Sequence, residues 1–73
     1  MSIHLSYLSV YLKIYITQHN ISPTELSHKT GISLHQIKAM LAGERTDVSI
    51  VHIMRFADLF GMTLEAFIKQ MDK

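Results

Sequence analysis

A chain of 73 residues holds one small domain and no second hydrophobic core. With 48% hydrophobic residues, three glycines and one proline it suits a helical bundle, and with no cysteine it has neither disulfides nor thiolate metal sites, as fits a reducing cytoplasm. Seven Lys and Arg against six Asp and Glu leave a net charge of +1, a thin cationic footprint for any polyanionic partner.

The first predicted element is a helix over about 5–19. At 100° per residue, Leu5, Leu8, Leu12, Tyr15 and Ile16 share one stripe, which should face the core. Ile3, Tyr7, Val10 and Ile14 fall on nearly the opposite side, and Ser6, Ser9, Lys13 and Thr17 lie between. A helix apolar on two faces is normally covered on both. The second face therefore reads as a protein–protein interface, most economically a two-fold homodimer. The competing surface is the last helix, through Phe67, Ile68 and Met71. The segment has no basic leader or cleavage site, and its polar interruptions suit neither a secretory signal nor a membrane span.

The next stretch, 22–43, has the grammar of two short helices joined by a turn. Ser22 is a good N-cap, Pro23 suits the first helical position, and Glu25 completes a capping box. Gly31 can take the left-handed conformation that ends a helix. Ser33 then opens a second helix, with Gln36 three residues on, and Ile37, Met40 and Leu41 recur at helical spacing. Helices are expected over 23–30 and 34–42, closed by Gly31 and Gly43. A loop over 43–48 carries Glu44, Arg45 and Asp47. A fourth helix follows Ser49 and stops at Gly61, and a fifth follows Thr63 and runs to Met71. Leu8, Leu12, Tyr15, Leu26, Ile32, Ile37, Met40, Ile50, Ile53, Phe56, Ala57, Phe60, Leu64 and Phe67 are the expected core.

The segment SPTELSHKTGISLHQIKAMLAG resembles the helix-turn-helix of the Cro/cI-type (Xre-type) regulators of phages and bacteria. Ser27 stands at that family's small position, Gly31 at the turn, and Ile37 and Met40 at its apolar anchors. Leu26 and Ile32 also match, and SIVHIMRFADLFGMTLEAFI is similar to the family's fourth and fifth helices, so the likeness spans about 12–68. It implies an all-α, five-helix, lambda-repressor-like DNA-binding domain with the helix-turn-helix as helices 2 and 3. The implied function is a sequence-specific transcriptional regulator, a repressor, that binds double-stranded DNA as a homodimer through the third helix in the major groove. Carried onto this chain, the reading positions are Leu34, His35, Lys38 and Ala39, with Ser33 and Gln36 at the helix start. The helix N-termini at Ser22, Thr24 and Ser33 would offer N–H groups to phosphates, and Ala42, Gly43 and Arg45 would clamp the backbone.

Three departures from the family pattern stand out. Pro23 occupies a position where a polar residue commonly contacts phosphate. Leu34 and Ala39 on the reading face have no hydrogen-bonding group. Ile16 and Leu41 stand where relatives pair an arginine with an acid, and a contact between these two apolar side chains is expected in place of the ion pair. The thin charge and the apolar first helix also suit an alternative, a protein-interaction module of anti-repressor or antitoxin-like kind that keeps the fold without strong DNA binding. No catalytic constellation or cofactor motif occurs, and His4, His19, His28, His35 and His52 form no i, i+4 pair, so no metal is expected.

Overall fold

Seven elements follow one another along the chain: β1 (Ser2–His4), α1 (Leu8–Gln18), α2 (Pro23–Thr30), α3 (Leu34–Leu41), β2 (Asp47–Ser49), α4 (Ile50–Leu59) and α5 (Leu64–Met71). The structure is a computed structural model that describes residues 2–44 and 47–71. Five helices form the body of the fold, as expected, and the two-stranded antiparallel sheet is a small addition.

Local chemistry sets the helix ends. Ser22, Ser33 and Ser49 each accept a hydrogen bond from the backbone N–H three residues on, at 3.2, 3.3 and 3.3 Å, and Thr63 does the same for Ala66 at 3.1 Å. Each satisfies one amide that the first turn of a helix leaves unpaired. At the other end of α3, Glu44 N–H donates to Ala39 O (3.0 Å) and Gly43 N–H to Met40 O (3.1 Å). This pair of bonds needs a left-handed residue, and Gly43 supplies it with φ +74°. Asn20 (φ +52°) plays that part after α1.

The helices enclose one core. Leu8 and Leu12 of α1, Leu26 of α2, Ile37 and Met40 of α3, Ile53, Phe56 and Ala57 of α4 and Phe67 of α5 are buried in it, with Ile32 from the turn. Tyr15, Ile50, Phe60 and Leu64 are half-buried around it. Phe60 is the hub of an aromatic group, with ring centroids 5.1 Å from Tyr11, 4.7 Å from Tyr15 and 5.7 Å from Phe67. It ties α1 to α4 and α5 through edge-on and offset contacts.

Three expectations need correction. The first helix begins at Leu8, not at Leu5, and residues 2–4 ahead of it pair with β2: Ile3 lies opposite Val48 and His4 opposite Asp47. Ile3 is accordingly a half-buried strand residue and does not continue the outer face of α1. Leu5 turns into the core ahead of the helix, and Leu8 N–H donates to its carbonyl at 3.3 Å. Phe67 and Met71, expected as a competing dimer surface, are both fully buried, because the inner face of α5 closes the core. Elsewhere on α1 the Ser9 hydroxyl donates to Leu41 O at 3.0 Å. Ile16, two turns farther along α1, and Leu41 are both half-buried against the core.

Candidate nucleic-acid interface

The helix-turn-helix geometry follows from how α2 and α3 are joined. They pack against each other, and α2 also packs on α4 while α3 packs on α1. Gly31 ends α2 in the left-handed conformation (φ +75°). Around it, polar side chains stitch the turn. The Ser27 hydroxyl donates to Ile32 O, and the buried Thr30 hydroxyl donates to Leu26 O (2.8 Å) and accepts from Ile32 N–H (3.2 Å). Arg55, from α4, donates to Thr30 O at 3.1 Å. The small residue at position 27 is thus a hydroxyl with a task across the turn.

α3 leaves this turn with Ile37 and Met40 buried and His35, Lys38 and Ala42 exposed on the far side. Leu34, Gln36 and Ala39 are half-buried along the margins of that face. The reading face is therefore narrower than the motif alone suggests, and two side chains able to donate, His35 and Lys38, stand at its centre. Imidazole and ammonium donors of this kind match the O6 and N7 acceptors of guanine or a phosphate oxygen. Gln36 is occupied at the helix start: its Oε1 accepts from the Ser33 hydroxyl at 3.3 Å. Ser33 itself caps α3. Leu34 and Ala39 offer methyl groups suited to thymine C5.

The flanks offer backbone N–H groups rather than charged side chains. Ser22 and Thr24 are exposed at the start of α2, and Ser33 is exposed at the start of α3. Both helices direct unpaired N–H groups and the positive end of the dipole outward at these points. Pro23 removes one N–H there without removing the others. Gly43, exposed at the end of α3, holds the chain in the turn that leads to residue 45; Arg45 lies outside the described residues. Within 22–44 the cations are Lys29 and Lys38 and the acids Glu25 and Glu44, so phosphate attraction depends on placement rather than on net charge.

Among the described residues no group of three His, Cys, Asp or Glu side chains could hold a metal ion, and no helix is long and apolar enough to cross a membrane. Thr30 and Arg55 were not marked by the sequence pattern. A threonine immediately before a turn glycine is the local signal for the first, whereas the second acts from 25 residues away and leaves no local trace.

Comparison with known families gives one finding. The family model of the Cro/C1-type HTH DNA-binding domain matches residues 11–72, from within α1 to just past α5. No curated protein and no solved structure matches the chain significantly.

Proposed function

The chain belongs to the Cro/C1-type HTH DNA-binding domain family, and from that premise we propose that it is a sequence-specific transcriptional repressor that binds duplex DNA as a homodimer in the cytoplasm. The observation that carries this reading is the exposed row of His35, Lys38 and Ala42 on a helix whose capped start lies next in the chain to the stitched turn after α2. α3 enters the major groove, His35 and Lys38 reach base edges or adjacent phosphates, and the N-termini of α2 and α3 bracket phosphate oxygens. Repression follows from occupancy alone, since a bound domain excludes polymerase from the same duplex. Tyr7, Val10 and Ile14, at 37, 43 and 45% exposure on the outer side of α1, support the dimer contact.

Binding to a duplex from the chain's own upstream region, titrated at about 50 and 200 mM salt, tests the proposal. A dissociation constant that rises steeply between the two conditions is the expected result. Absent or salt-insensitive binding would reject it in favour of a protein-interaction module, the reading favoured by the net charge of +1 and by Val51 and Met54, which are exposed on α4 at 54 and 53%.

A further inference from the structure

The end of α2 is built unlike the ends of α1, α3 and α4. Those three close with paired backbone bonds: Ile21 N–H to Ile16 O and Asn20 N–H to Thr17 O, Glu44 to Ala39 and Gly43 to Met40, Met62 to Ala57 and Gly61 to Asp58, all at 2.9–3.3 Å. After α2, Gly31 N–H still reaches Ser27 O at 2.8 Å, but the next amide, Ile32 N–H, goes to the Thr30 hydroxyl. The Thr30 carbonyl is then satisfied from another helix, by Arg55 Nη1. A guanidinium at this point also meets the negative end of the α2 dipole. The fit is close: a Cβ built on Gly31 would lie 2.9 Å from Arg55 Nη1, so the guanidinium occupies space that a side chain at 31 would need. Lys29, Asp58 and Leu59 line the same shallow groove between the end of α2 and α4.

We infer that Arg55 is a positioning residue for DNA recognition: from α4 it clamps the end of α2 and so fixes the direction in which α3 leaves the turn. The inference rests on the DNA-binding reading for its consequence and on the turn geometry alone for its mechanism. The direction of α3 sets where His35 and Lys38 stand relative to the N–H groups at the start of α2. An Arg55 that acts only through the turn changes discrimination between sequences and releases no counterions of its own.

The test uses the full chain with Arg55→Met and Arg55→Lys, the second retaining a donor for the Thr30 carbonyl. Without DNA, amide hydrogen exchange at Gly31 and Ile32 should speed up about tenfold in Arg55→Met relative to the amides of α5, and much less in Arg55→Lys. With DNA, Arg55→Met should weaken binding to the preferred duplex about tenfold. It should leave binding to an unrelated duplex and the slope of log K against log salt unchanged, and Arg55→Lys should restore part of the loss. A slope reduced by about 0.9 would make Arg55 a phosphate contact and overturn the inference. Turn amides that exchange at the wild-type rate in Arg55→Met would overturn it whatever the DNA result. A wild-type chain that binds no duplex would strike the proposed function instead, with the exchange measurement still deciding whether the clamp exists. If Arg55→Met does not fold, the same readouts in Arg55→Lys decide: a turn and a duplex preference weakened by the shorter, non-planar donor support the clamp, and wild-type values in both overturn it.

Discussion

Ile37 and Lys38 are neighbours in the chain and opposites in role. Ile37 is fully buried against the core, and Lys38 projects from the other side of α3. Ile37→Ala removes buried methyl groups and leaves a cavity, at a cost of about 2–5 kcal/mol, so thermal melting should show a sharply lowered midpoint. Lys38→Met should leave stability within about 0.5 kcal/mol, as exposed substitutions usually do, while a DNA titration shows affinity reduced at least severalfold. A Lys38→Met chain that binds duplex as tightly as the parent would remove Lys38 from the interface. The inward residues of α3 were legible because helical periodicity alone assigns Ile37 and Met40 to one face. The breadth of the outward face was not, because Leu34 and Ala39 are half-buried in the folded chain, and periodicity knows nothing of neighbours.

At the scale of elements, every helix whose start is marked by Ser or Thr begins where the sequence says it should. Ser22, Ser33, Ser49 and Thr63 act within three residues of themselves, so their effect is local and readable. The sheet obeys a different logic. A three-residue strand has no periodicity to detect, and β1 exists only because Val48 lies opposite Ile3, 45 positions away in the chain. That pairing makes a strand of residues 2–4, ahead of the predicted first helix, and Leu5 turns into the core before α1 starts at Leu8. Val48 is itself fully buried, which makes it the residue that ties the sheet to the helices. Val48→Ala loses two buried carbon groups at about 0.8 kcal/mol each, plus a cavity term, or roughly 2 kcal/mol in all. In a domain of this size the melting midpoint should fall by about 10 °C. A shift of only a degree or two, measured by circular dichroism, would show that β1 and β2 contribute little to the fold. The His4–Asp47 approach on the same ladder, 3.6 Å between exposed groups, adds little by comparison.

For the molecule as a whole, the ends of the fold meet: Tyr7 N–H at the start of α1 donates to Met71 O at the end of α5, 3.3 Å away. This closure draws Met71 and Phe67 inward and removes the inner face of α5 as a docking surface. The backbone measures 26 × 24 × 21 Å, so two copies side by side have centres roughly 24 Å apart, the same order as the ~34 Å spacing of successive major grooves. With a charge of +1 per copy, a domain of this size has reason to need two copies on a duplex. Two half-sites bound together double the phosphate contacts, and the slope of log K against log salt doubles with them. Val10→Gln with Ile14→Gln removes the outer apolar stripe of α1 without adding charge, so repulsion from DNA cannot imitate loss of the dimer. The doubly substituted chain should sediment as a monomer, keep its melting midpoint within a few degrees, and bind duplex at least 100-fold more weakly with about half the wild-type salt slope. If it stays dimeric, Met54→Gln with Val51→Gln identifies the outer face of α4 as the contact instead. If wild type itself sediments as a monomer and yet binds a single half-site with the full slope, one copy suffices and the two-fold arrangement is wrong.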